Sequence, residues 1–328
     1  MTWVHDSSTT SPSSTKEEEL KNVISDAEKN LGENEVRDAW RELLNYYANV
    51  GDEKLYLETF PKVYELTSGS LLKCDLLFDQ ALTAIQYRDF SLADRAIQRA
   101  TRFQEEGSLD FDHKNRLMVF RAVLLLRSRK IREAAPLLLE VTQSFISTDL
   151  ISFELYIRYV ILTAPLVLTR PELKSKVLHS PEVLSVVSHP LVGDAYAFLH
   201  DLYDAKYGSS LATLDKVLID VHKDDLFLSK HTAWLFKEVR LIAYKQHLSA
   251  FISVRLDSMA EQFGVDADVF ARDLCKFITA GRLSCSIDGE KRVVVSGSQS
   301  VTKEGSVVRN IDGLLSKVQV VSRMMATV

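Results

Sequence analysis

Cysteine, glycine and proline are all scarce in this chain of 328 residues, at 3, 12 and 7 respectively. Cys74, Cys275 and Cys285 have no CxxC spacing and are odd in number. That argues against a disulfide framework and for a reducing compartment, with Cys275 and Cys285 read as small buried apolar residues. So little glycine and proline leaves too few turn formers for an all-β protein, and long helices joined by short loops are expected. An excess of positive charge is also missing. The formal net charge of -5 gives no electrostatic case for nonspecific binding to nucleic acid.

Long hydrophobic runs are absent too. The most apolar window, Phe153 to Leu168, contains Glu154, Arg158 and Pro165. Its uncharged runs fall well short of the roughly 20 residues that span a bilayer, so it reads as a buried helix and no membrane is expected. Nothing before Lys16 resembles the apolar region of a secretory signal. The 8 histidines form no HxH, HExxH or Cys/His cluster at ligand spacing. GxxxxGK[ST], GxGxxG and GxSxG are missing as well. The run Glu17-Glu18-Glu19 reads as a solvated helix face. No catalytic residue, cofactor or metal is therefore expected.

What the chain does contain is helical periodicity. Residues 1–15 are too polar to offset the entropy of ordering and are expected to be a disordered leader. Thr15-Lys16-Glu17-Glu18 fits a capping box with Thr15 as N-cap. Amphipathic segments then fill residues 16–247. Three pairs of them repeat, with turns at Gly51-Asp52, Arg88-Asp89 and Arg129-Lys130. Their second helices close on Thr67, Thr101 and Thr142, spaced by 34 and then 41 residues. That period matches tetratricopeptide-like helical hairpins, with Ala93 and Ala134 at equivalent close crossings. A hairpin of this kind cannot bury its own apolar face, so stacking into a right-handed solenoid is expected. An irregular helical bundle is the alternative.

Residues 248–298 change character. FISVRL (Phe251 to Leu256) is short and β-branched, and Asp257-Ser258 follows it as the N-cap pair of a short helix bearing Met259, Ala260 and Phe263 and stopped by Gly264. Asp266 or Asp268 caps the next helix, whose apolar positions are Val269, Phe270, Leu274, Phe277 and Ile278, with Gly281 at its C′ position. Leu283 to Ile287 and Arg292 to Ser296 flank Asp288-Gly289, a hairpin signal. Helix, turn, helix and hairpin describe a winged helix. After a polar linker at 299–305, residues 306–328 carry Val307, Ile311, Leu314, Val318, Val321 and Met325 as a heptad seam of nearly three heptads. Gly313 weakens that helix by about 1 kcal/mol relative to Ala, so it needs a partner surface or must fold back on its own chain.

A winged helix is often a DNA reader, but from Arg255 to Arg282 this one has five acids against four bases. Asp266 and Asp268 would open the recognition helix, and only Lys291 and Arg292 on the wing suit nucleic acid. The edge strand and the heptad seam instead invite a protein partner.

Helical repeats running into a winged helix is the arrangement of PCI domains. DAEKNLGENEVRDA (Asp26 to Ala39), RLMVF with RKIREAAPLLLEVTQSF (Arg116 to Phe145), RPELKSKV (Arg170 to Val177) and MAEQFGVDADVFARDLCKFITAGRLSCSID (from Met259) together resemble the seventh non-ATPase regulatory subunit family of the 26S proteasome lid. The resemblance implies an all-α dominated fold: a solenoid of helical hairpins, a winged-helix PCI part and a C-terminal helix. It also implies a non-catalytic scaffold in the cytoplasm and nucleus, hetero-oligomeric with other PCI-domain lid subunits and supporting ubiquitin-dependent degradation. In such a scaffold the edge from Leu283 to Ser296, with Leu283, Cys285, Ile287, Val293 and Val295, joins an arc of winged helices. The seam Val307, Ile311, Leu314, Val318, Val321 and Met325 enters a helical bundle. The family carries further helical sequence ahead of the Asp26 motif, where this chain has a short Ser/Thr-rich leader, so a shortened solenoid is expected. The first subunit of the signalosome shares the architecture and is the alternative, with a winged-helix nucleic-acid binder behind it.

Overall fold

The computed structural model describes residues 13–30, 32–145 and 149–296. The expected leader up to residue 12, the linker at 299–305 and the helix at 306–328, with Val307, Ile311, Leu314, Val318, Val321 and Met325, lie outside the described residues. Helix α1 (Ser13–Asn30) already includes Thr15, so Thr15 is not its N-cap and the leader's expected boundary moves back.

One compact unit comprises residues up to Leu125 together with Gln143–Ser152. It holds α1, α2 (Glu33–Val50), α3 (Glu53–Leu66), α4 (Ser70–Gln86), α5 (Phe90–Glu105) and most of α6 (Phe111–Arg127). The second comprises, among the described residues, Leu126–Thr142 and residues 153–296. It holds α7 (Ile131–Val141), α8 (Phe153–Thr163), the short α9 (Arg170–Leu173) and α10 (Pro181–Ser185), α11 (Pro190–Tyr203), α12 (Tyr207–Asp224) and α13 (Thr232–Ser249). The winged helix belongs to the same unit. The chain is thus built mainly from helical hairpins and ends, among the described residues, in one small sheet.

The predicted hairpin turns are present and share one geometry. Gly51 ends α2 in the left-handed region, and Asp52 then caps α3 by accepting from Leu55 N at 3.3 Å. At the turn after α4, Arg88 takes the left-handed conformation (φ 62°) and Asp89 accepts from Ser91 N and Leu92 N at 3.0 and 3.1 Å. Arg129 occupies the same place before α7 at φ 63°. A further turn of this type joins α11 to α12 through Ala205, also at φ 63°, with Lys206 N donating to Asp201 O at 2.9 Å. The sequence pattern did not single it out because α12 ends without the closing threonine that marks the other three repeats.

The closing threonines have a physical role. Thr67, Thr101 and Thr142 each donate Oγ1–H to the carbonyl four residues back (Val63, Ile97 and Leu138) at 2.7, 2.8 and 2.8 Å. Ala93 and Ala134 are fully buried, as close helix crossing requires. The apolar window becomes α8, buried from Tyr156 to Thr163, with Arg158 donating Nη2–H to Val217 O at 2.9 Å. Among the described residues no helix is long and apolar enough to cross a membrane.

Candidate protein interface

After α13 come β1 (Ser253–Arg255), α14 (Leu256–Phe263), α15 (Ala267–Thr279), β2 (Cys285–Asp288) and β3 (Val293–Ser296). The sheet order is β1-β3-β2, antiparallel throughout, with Ser253 and Ser286 both opposite Val295. β3 is therefore central, and β1 and β2 are the edges that present unpaired backbone groups.

Details of the expected local structure shift by a few residues. α14 starts at Leu256 after Arg255, so Asp257-Ser258 lies inside its first turn instead of capping it. Asp266 caps α15, accepting from Asp268 N at 3.2 Å and from Val269 N at 3.4 Å. Gly264 and Gly281 end the two helices in the left-handed region, as expected. The hairpin loop is longer than the predicted Asp288-Gly289 turn. Asp288 Oδ1 accepts from Glu290 N and Lys291 N, both at 3.1 Å, and Arg292 takes the positive φ of 52°. An Asp side chain that organises the loop removes the need for a two-residue glycine turn.

The winged helix is seated on α13 by rings and by one buried carboxylate. Tyr244 meets Phe263, Phe270 and Phe277 edge-on, with centroids 4.9, 5.2 and 5.9 Å away. Phe263 also stacks on Tyr207 of α12 at 4.8 Å. Burial pushes the Tyr244 hydroxyl well up, so it stays protonated and donates to Asp273 Oδ2 at 3.1 Å. Arg240 donates to the other oxygen of Asp273 at 3.1 Å. Glu238, 3% exposed, accepts two hydrogen bonds from Arg282 at 2.7 and 2.6 Å and one from Arg132 at 3.2 Å. Burial opposes its charge, but the Arg282 guanidinium with Arg132 outweighs that and holds the carboxyl below its usual range.

Internal contacts also engage three arginines of the winged helix. Arg282 is spent on Glu238. Arg292 reaches Asp257 at 3.4 Å and Asp268 at 3.0 Å, and Arg272 donates to Asp268 O at 3.2 Å. The recognition helix α15 instead exposes Val269, which had been placed on its apolar inner face. Cys275 is exposed too, against expectation, because Phe270, Leu274 and Phe277 define the buried stripe and Cys275 falls one step beyond it. Cys285 is buried, which pushes its thiol up.

The structure divides the predicted edge residues. Leu283 and Cys285 point into the chain's own core, so only their backbone is available to a partner. Ile287 and Val293 are half-buried, and Val295 is 37% exposed on the outer face. Phe251 and Ile252, just before β1, are 48% and 85% exposed and were not singled out from the sequence. Glu238 was also missed, although an acid three residues after Leu235 and next to Val239 on a buried helix face is a readable signal. Among the described residues no group of three His, Cys, Asp or Glu side chains is placed to hold a metal.

Comparison with known proteins gives two family matches: 26S proteasome subunit RPN7 over residues 6–176 and the PCI domain over residues 219–298. The 26S proteasome non-ATPase regulatory subunit 6 of Dictyostelium discoideum is 35% identical over 93% of this chain and 80% of its own length. The 26S proteasome regulatory subunit rpn7 of Schizosaccharomyces pombe is 31% identical over 89% of this chain and 76% of its own. COP9 signalosome complex subunit 1 of Arabidopsis thaliana is more distant, at 24% identity over 85% of this chain and 63% of its own. A matched repeat region, a matched winged helix and relatives of this identity along most of the sequence give one conclusion: the chain belongs to the RPN7 family of 26S proteasome regulatory subunits.

Proposed function

We propose that this chain is a non-catalytic scaffold of the proteasome lid, assembling with other PCI-domain subunits to support ubiquitin-dependent degradation in the cytoplasm and nucleus. The observation that carries the reading is the state of the winged helix. Arg282 and Arg292 are engaged internally by Glu238, Asp257 and Asp268, while the edge strands remain free of a sheet partner among the described residues. Such a surface favours strand or side-chain docking by a protein over phosphate recognition. The edge from Leu283 to Ser296 contributes backbone together with Ile287, Val293 and Val295. The heptad positions Val307, Ile311, Leu314, Val318, Val321 and Met325 supply a second contact, in a shared bundle.

Affinity purification of the tagged chain from its own cells tests this. Recovery with proteasomal ATPases and lid subunits is expected. Recovery with cullin-deneddylating activity and no ATPase would assign it to the signalosome instead. Deleting Ser306 to Val328 removes the seam, and with it several kcal/mol of apolar burial at about 25 cal/mol per Å². The truncated chain is expected to keep its helical circular dichroism and fail to enter the complex.

A further inference from the structure

A groove of 920 Å³ runs between α12, α13 and the corner where α14 meets α15. α12 lends it Leu211, Ala212 and Asp215, α13 lends Phe236, and the corner lends Val265 and Val269. Val265 and Val269 stand four residues apart and are 38% and 47% exposed. Phe236 is half-buried beside them. Most charge in the groove is already engaged: Arg240 and Tyr244 hold Asp273, and Arg272 donates to Asp268 O at 3.2 Å. Asp215 and Lys276 have no ion-pair partner among the described residues. Valines held in water at the start of a helix gain neither burial nor helix propensity, so an amphipathic helix laid over them accounts for their presence.

The chain itself carries such a segment within reach. Beyond Ser296, outside the described residues, the sequence passes through a polar stretch to the seam that starts at Val307. Ser296 N donates to Ile252 O, Val293 lies opposite Arg255, and α14 then leads from Leu256 to the Gly264 turn. Along β3, across one strand spacing and down α14 to Val265 is a bent path of about 35 Å, and the straight line is shorter. The eleven residues from Ser296 to Val307 span up to about 38 Å. Val307 to Val321, wound as a helix, would be about 21 Å long, and α15, with 13 residues, is about 20 Å.

We propose that in the unassembled chain residues 306–328 lie as a helix in this groove of their own chain, with the seam against Val265, Val269 and Phe236. Wound as a helix, the segment turns Arg309, Asp312 and Arg323 away from the seam, and of its charged residues only Lys317 flanks it. Lys317 then meets Asp215, the acid on the α12 wall that lacks a partner. A tether this short holds the segment at an effective concentration on the order of mM, so a weak contact suffices to seat it. A helix too short to be stable alone gains a surface. In the scaffold reading the same seam enters a shared bundle, so joining the complex lifts it out of the groove. That release rests on the scaffold reading, whereas the seating does not.

The test is limited trypsin digestion of the full chain, with fragments mapped by mass spectrometry and a synthetic peptide, Ser306 to Val328, as the uncovered reference. Cleavage after Arg309, Lys317 and Arg323 is expected to be about fiftyfold slower in the chain than in the peptide, at any chain concentration, because it tracks the open fraction. Val269→Asp is expected to bring those rates within about threefold of the peptide while cleavage before Ser296 stays as it was. Ile219→Asp on α12, also 47% exposed but outside the groove, is the control and should change nothing. Asp215→Lys should release the segment about threefold, and adding Lys317→Glu should restore protection at Arg309 and Arg323. Failure of that exchange overturns the seating of Lys317. Equal rates in chain and peptide overturn the whole proposal. So does protection that Val269→Asp leaves intact, or that Ile219→Asp also abolishes, which would seat the seam elsewhere. Protection that grows with chain concentration overturns it too and assigns the seam to a second copy. These readings are made on the isolated chain, so they fail separately from the scaffold assignment, which is read by co-purification.

Discussion

In the first unit, α4 and α5 pack closely on each other, and their Ala81, Ala84, Ala93 and Ala96 are essentially without exposed surface. Where the winged helix is seated, the contact is made by the rings of Tyr244, Phe263, Phe270 and Phe277 and by one carboxylate under two arginines. The hairpins spread their cohesion over many small contacts between residues close in sequence. The winged-helix seat concentrates it in a few side chains from distant parts of the chain. A repeat can therefore drift in sequence while keeping its period, whereas the seat depends on particular residues.

Single substitutions can break this contrast. Tyr244→Ala removes the hub of the ring cluster and should lower unfolding stability by about 4 kcal/mol in a denaturant titration. A loss under 1 kcal/mol would mean that the rings do not hold the seat. Glu238→Gln leaves two arginines without their anion. Their side chains are 32% and 62% exposed, so water relieves part of the loss and about 2 kcal/mol is expected. The same pair sets an acid limit. Because the Glu238 carboxyl is lowered in the folded chain, its contribution is complete above pH 4.5 and is lost as pH falls through the folded value. The Gln variant should show a shallower acid transition. Asp89→Ala, which deletes a cap in the hairpin region, should cost only about 1 kcal/mol. If it costs more than Tyr244→Ala, the comparison is reversed.

The hairpin region was legible because its determinants are local. Gly51, Asp52, Asp89 and the threonines at 67, 101 and 142 act within four residues of themselves, so spacing alone exposes them. Met259, Ala260, Phe263 and the Gly281 stop were readable for the same reason. The seat was not. Glu238 and Arg282 are 44 residues apart, and nothing in either neighbourhood names the other. Cys275 and Val269 were misplaced because a helix turn leaves one or two flanking apolar positions ambiguous, and only packing chooses among them. The α11–α12 hairpin escaped notice since α12 ends without the closing threonine by which the other repeats were spaced.

The strand order has a mechanical consequence. β3 runs between β1 and β2, and Ser296 N, at its end, donates to Ile252 O at 2.9 Å. Any tension applied through the chain beyond Ser296 enters the sheet along its middle strand. Hydrogen bonds on both flanks then share that load in shear instead of opening one after another. A pull from the C-terminal side is passed through β1 to α13 and the helices packed around it, so the little sheet acts as a cleat for whatever is anchored there.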